Sequence, residues 1–296
     1  MIWNNLGLNV GNDINFNGAA YTQSQIVADA LYHVRTLGIK KFRVGIPTHT
    51  DTNGIAQTFF TAQVYKALGA YVQWGINIGT NFGSGSEAAY NADISTYAAQ
   101  AMTLNTNLTQ YGIPNQASPI DEFCCGNEVE IQSGITLSAA QIYTYMQTLP
   151  ALVTAAGFTG KISVTVSQDN YAQYKTNGAG AYNYISLDIY GNKNGGFGNF
   201  IYQINDLSTA LASGKFQITE WGIDGTWQAP YSLDEYLQMQ EFMLRFKWLK
   251  ENANYTCYVF CWRFDGTGTT DNFASKLKAG GLRDWWYAVT EQRKPL

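Results

Sequence analysis

The chain has 296 residues, 46% hydrophobic and 14% charged, which is enough apolar matter for one large domain with a full core. Its formal net charge of -4 comes with no basic run, which excludes nucleic acid as a partner because phosphate binding draws on clustered Lys and Arg. No apolar run approaches the roughly 18 residues of a membrane span, and two histidines beside four cysteines make neither a zinc site nor a disulfide framework.

The elements follow in chain order. Residues 2–10 form a strand ending at Gly11. Residues 23–37 carry apolar side chains at helical spacing (Ile26, Val27, Ala30, Leu31, Val34, Leu37), and Gly38 closes that helix. Residues 41–47 are the second strand, and a helix from about 58 to 68 ends before Gly69. Residues 71–78 are the third strand, and a Gly/Ser-rich exit over 79–86 leads into a long Ala-rich helix over 87–111. Residues 121–130 hold the fourth strand, and Ser138 caps a helix over 138–156. Residues 161–167 are the fifth strand, 171–176 at most a short helix, 184–190 the sixth strand and 200–211 its helix. Residues 216–221 are the seventh strand, 232–251 an amphipathic helix, 257–264 the eighth strand and 277–290 a helical tail.

Strands that alternate strictly with helices pair in parallel, the helices serving as crossovers. Eight such units in this length predict a single-domain (β/α)8 barrel over residues 1–296. The competing open doubly wound sheet lacks its Gly-rich fingerprint, since Gly7 and Gly11 have the wrong spacing. Cys124 and Cys125 are strand neighbours that face opposite ways, and Cys257 and Cys261 are too far apart along one strand to bridge, so all four read as buried thiols. His33 lies in a helical pattern and reads as structural. No charged-then-apolar leader opens the chain, which leaves the compartment open.

Two carboxylates stand where a barrel keeps its chemistry, at the C-terminal ends of strands. Glu220 follows the apolar run Phe216-Gln217-Ile218-Thr219, and Glu128 follows Asn127 at the end of the fourth strand. Glu130 competes with Glu128, because residues two apart share a face; in the Glu128 reading it is a loop residue. Opposed carboxyls suit glycoside hydrolysis, one protonating the leaving oxygen while the other attacks or activates water.

On these motifs the chain resembles the clan A retaining glycoside hydrolases, loosely family 5. The carrying residues are Asn127-Glu128 on the fourth strand, Thr219-Glu220-Trp221-Gly222 on the seventh, Phe42-Arg43-Val44 on the second, Trp262 with Asp265-Gly266 on the eighth, and Leu8-Asn9 on the first. The resemblance implies Glu128 as acid/base, Glu220 as nucleophile, Arg43 as its holder, Asn127 on the sugar 2-hydroxyl and Trp262 as floor of the sugar site. Tyr190, whose alternation turns it inward, would hydrogen-bond the nucleophile. Asp188 stands where related families have a histidine, either tuning the acid, binding a hydroxyl or serving as a buried structural group.

Trp221, Trp227 and Trp262, with Trp3 and Trp74 behind them, are the candidate subsite aromatics, while Trp285 and Trp286 pack the tail. The expected function is cofactor-free retaining hydrolysis without a metal, by a monomer acting on an oligo- or polysaccharide. Modest loops imply an open cleft and endo action on a β-linked glucan, mannan or xylan. A non-catalytic carbohydrate-binding barrel and an exo-acting β-glycosidase are the alternatives. A barrel enzyme on phosphorylated metabolites lacks its Gly-rich phosphate loop.

Overall fold

The computed structural model describes residues 4–10, 15–16, 19–20, 22–79, 82–103, 107–115, 119–132, 134–190, 196–222 and 235–259. Helix starts follow from capping side chains. Thr22 and Ser138 each form a capping box with the glutamine three residues on, opening α1 (Gln23–Leu31) and α4 (Ala139–Met146). Asp51 accepts the Gly54 N–H, so α2 (Thr52–Ala67) starts six residues earlier than the apolar pattern predicts.

Two predicted helices are shorter or divided. α3 (Glu87–Gln100) stops well before residue 111, where the sequence turns to Thr103, Asn105, Thr106 and Asn107, poor helix formers. The predicted helix over 138–156 is two helices, α4 and α5 (Leu149–Ala155), because Pro150 has no N–H for the Met146 carbonyl. The freed carbonyl accepts the Tyr182 hydroxyl at 2.5 Å. Later helices are α6 (Ala172–Asn177), α7 (Gly196–Ala210) and α8 (Glu235–Asn252).

The strands are β1 (Leu6–Val10), β2 (Lys41–Val44), β3 (Tyr71–Gly75), β4 (Glu122–Asn127), β5 (Lys161–Ser167), β6 (Tyr184–Ile189), β7 (Phe216–Trp221) and β8 (Cys257–Val259). They close into one barrel, each parallel to its neighbours, with β8 pairing β1. The (β/α)8 barrel predicted from the alternation is the fold observed, and residues 260–264 of the predicted eighth strand lie outside the described residues.

Outward-facing Val, Ile, Leu and aromatic side chains of the strands form the core against the helices. The inside of the barrel is polar at its lower end, which the sequence reading did not foresee. Glu122 is fully buried there, and its carboxylate takes Gln73 at 2.5 Å, Gln217 at 2.6 Å and Tyr71 at 2.8 Å. Three donors make this buried acid tolerable. Gly7 is required beside it, because a Cβ there would lie 2.4 Å from the Tyr258 ring that fills the barrel.

His33 is structural, as its helical setting indicates: it is buried and bonded to the Tyr65 hydroxyl at 2.7 Å. Cys124, Cys125 and Cys257 are buried free thiols, and Cys261 lies outside the described residues. No helix among the described residues is long and apolar enough to cross a membrane.

Candidate active site

Two bulges shape the upper rim of the barrel. On β7, Leu187 pairs with Ile218 while Asp188 pairs with Glu220, so Thr219 is the extra residue. Simple alternation would send Glu220 outward with Ile218. The bulge instead turns both Thr219 and Glu220 into the barrel and sends Trp221 out against α8. On β4, three residues from Cys124 to Asn127 match two on β5. Gly126 takes φ 149 within that bulge, and Glu128 follows at φ 45, ψ 46. A left-handed non-glycine backbone costs about 1–2 kcal/mol. It is held by the Glu128 N–H donating to the Thr165 carbonyl at 2.9 Å.

Arg43, on the inward face of β2, is 1% exposed rather than solvated. Its Nη1 donates to Glu220 Oε1 at 2.5 Å, and its Nη2 to Asn127 Oδ1 at 2.5 Å. Tyr190, just past β6, donates its hydroxyl to Glu220 Oε2 at 2.7 Å. Both carboxylate oxygens of Glu220 are therefore engaged, one by a cation and one by a phenol. Asn127 is anchored through its backbone: its N–H donates to Asn77 Oδ1 at 3.1 Å, and its carbonyl accepts Asn77 Nδ2 at 2.9 Å.

Among the described residues, Glu128 has no such donors. Burial first, then the charges of Glu220 and Glu130, push its carboxyl up to about 8, against a smaller pull from Arg43. Burial works against the Arg43 cation, but Glu220 and Asp188 raise it further than burial lowers it. The two glutamates thus sit in different environments, one held by a cation and a phenol and one set to keep a proton near neutral pH.

Several expected roles change. Trp221 is fully buried and stacks on Phe242 with centroids 4.8 Å apart, so it packs α8 and lines no subsite. The β7 bulge is the reason. Trp74 is likewise core, with its indole N–H on the Thr58 hydroxyl at 3.0 Å. Glu130 is not a free loop residue: it lies in a one-turn helix, Val129–Ile131, and accepts the Ser167 N–H at 2.7 Å. Burial pushes it up to about 7.

Asp188 is 1% exposed, too deep to meet a sugar hydroxyl. Thr219 donates to its Oδ1 at 2.7 Å, while its Oδ2 has no partner among the described residues. Burial and then Glu220 raise it well above the carboxylate range. Asn9 is buried beside Arg43 in register, with its amide unpartnered among the described residues. Trp3, Trp227, Trp262 with Asp265-Gly266, Trp285 and Trp286 lie outside the described residues. Sequence reasoning missed Thr219 and Ser167, since a lone hydroxyl or backbone N–H carries no signal until a bulge or neighbouring strand supplies its partner. Among the described residues, no group of three His, Cys, Asp or Glu is arranged to hold a metal ion.

No family model and no curated protein matches the chain. Solved structures do. A GH113 β-1,4-mannanase matches with a TM-score of 0.63 at 13% identity, over 99% of this chain and 99% of that one. A GH5 xyloglucan-specific endo-β-1,4-glucanase from a metagenomic library matches with 0.61 at 15%, over 97% and 96%. A Parabacteroides merdae β-glucuronidase matches with 0.59 at 12%, over 88% of this chain and 31% of that one, so the chain spans about a third of that protein. These likenesses show the fold: a (β/α)8 barrel like those of clan A glycoside hydrolases, resembling family 5. It runs nearly the full length of both the mannanase and the glucanase.

Proposed function

We propose that this chain is a retaining glycoside hydrolase with Glu220 as nucleophile and Glu128 as acid/base. One observation carries the reading. Glu220 has both oxygens held, by Arg43 at 2.5 Å and Tyr190 at 2.7 Å, while Glu128 on the facing strand end is raised to about 8. A nucleophile must stay ionised, and an acid must hold its proton until the leaving oxygen takes it. In the first step Glu220 attacks the anomeric carbon as Glu128 gives up its proton. In the second step Glu128 takes a proton from water, which displaces Glu220 from the sugar. The Asn127 amide, held from behind by Arg43, is the group on hand for the sugar 2-hydroxyl. The chemistry draws on these side chains alone, without a cofactor.

The substrate proposed is a β-linked polysaccharide of the glucan, mannan or xylan type, cleaved internally by a monomer. Support comes from the barrels matched over their full length, whose names specify a β-1,4-mannanase and an endo-β-1,4-glucanase. The test is a panel of β-glucan, mannan, xylan and aryl β-glycosides, with the first-released anomer read by proton NMR. Wild type is expected to release the β-anomer, and Glu220→Ala to lose activity by several orders of magnitude. Binding without cleavage by wild type would instead support a carbohydrate-binding barrel. Full activity of Glu220→Ala sinks the assignment of the nucleophile.

A further inference from the structure

Pairing between β6 and β7 ends at Ile189 and Trp221. The next residue on each strand is Tyr190 and Gly222. Arg245 of α8 donates to the carbonyls of both. Its Nη1 donates to the Tyr190 carbonyl and, at 2.7 Å, to the Gly222 carbonyl. One nitrogen thus bridges the two strand exits immediately beyond the groups around Glu220.

The rest of the guanidinium is tied down. Nε and Nη2 reach Glu241 Oε1 at 3.0 and 2.8 Å, one helical turn back. The Cζ lies 4.8 Å from the centre of the Phe200 ring of α7. Arg245 is 0% exposed. Taking a charged pair out of water is costly, and apolar side chains of similar volume commonly fill such a space as well or better. Gly222 also borders the phenol itself, since a Cβ placed there would stand 3.9 Å from Tyr190 Cε1.

We propose that Arg245 is a positioning residue for the proposed reaction: by joining the carbonyls of Tyr190 and Gly222 it fixes the Tyr190 phenol on Glu220. It touches neither substrate nor the reacting carboxylates and acts through Tyr190. The proposal rests on Glu220 as the nucleophile for its catalytic consequence, but not for its geometry.

The test separates the two. Arg245→Met alone strands Glu241 in the core, so the informative variant is Arg245→Met/Glu241→Gln, which neutralises both partners together. 3-Fluorotyrosine at position 190 reports the phenol by 19F NMR. In the double variant its resonance is expected to shift toward that of an unbonded, mobile ring, with the thermal transition still cooperative. On an aryl β-glycoside, kcat is expected to fall about tenfold or more with KM little changed, as a hydrogen bond to a charged group is worth about 1.5–3 kcal/mol. Adding Tyr190→Phe should then cost nothing further. Arg245→Lys, which can still donate to a carbonyl, should recover part of the loss. A folded double variant whose 19F resonance stays at its wild-type position overturns the proposal. Wild type that cleaves no glycoside overturns the hydrolase reading instead, and the resonance still decides the role of Arg245.

Discussion

The environment of Glu128 depends on the charge of Glu220, and Glu220→Gln removes that charge while nearly preserving shape. Retention requires carboxyls about 5 Å apart. At that distance, in an effective dielectric of about 20, two unit charges interact by about 3 kcal/mol, or about two pKa units. Burial is the larger cause of the shift of Glu128 from 4.5 to about 8, and Arg43 opposes it. After burial, the charge of Glu220 is the largest cause of that shift. Without the Glu220 charge, Arg43 also bears on Glu128 with less compensation, in the same direction. Glu128 is therefore expected to titrate at roughly 6 to 7 in Glu220→Gln. The assay is 13C NMR of protein labelled at the glutamate carboxyl carbon, with Glu128→Gln assigning the resonance. A titration unchanged near 8 would refute the coupling of the two carboxyls. A fall to the ordinary value of about 4.3 would refute burial as the main cause.

Three further outcomes follow from the same site. Glu128 and Glu130, raised to about 8 and about 7, hold protons in the folded chain that the unfolded chain releases from about pH 4.5 upward. The unfolded state binds fewer protons across that window, so stability is fullest below it and falls as pH climbs through it. The thermal midpoint should drop by several degrees between about pH 5 and pH 8, and Glu128→Gln should flatten the slope; a midpoint flat in both proteins would oppose this. Trp221→Ala should cost about 3–5 kcal/mol in denaturant unfolding, whereas Trp221→Phe should leave KM unchanged. A clear rise in KM for the phenylalanine variant would return Trp221 to a subsite. Gly126→Ala forces a side chain onto φ 149 and to within 2.8 Å of Val129, so it should lower kcat more than it disturbs binding of an intact oligosaccharide; wild-type kcat in that variant would show the β4 bulge to be dispensable.

Much of this molecule is legible before folding, because the signals are local. Apolar spacing and capping residues such as Thr22 and Ser138 announce the helices, and β-favouring runs between glycines announce the strands. Eight such alternations point to a closed parallel barrel, since each crossover helix returns the chain to a parallel strand and covers the outer face of the sheet. Glu128, Glu220 and Tyr190 stand out because polar residues end apolar strands, and Arg43 because its Phe42-Arg43-Val44 segment resembles that of a known family.

What only the tertiary structure decides is direction and company. Alternation alone would turn Glu220 out and Trp221 in; a one-residue bulge against β6 reverses both. Pro150 is visible in the sequence, but the donor for the carbonyl it frees comes from Tyr182, far along the chain. Glu122 in the barrel floor and Arg245 beneath the strand exits give no sequence signal, since each is explained by partners on other elements. Sequence encodes the period of each segment. Register, bulges and the satisfaction of buried charge belong to neighbouring strands and helices, and exist only once the barrel has closed.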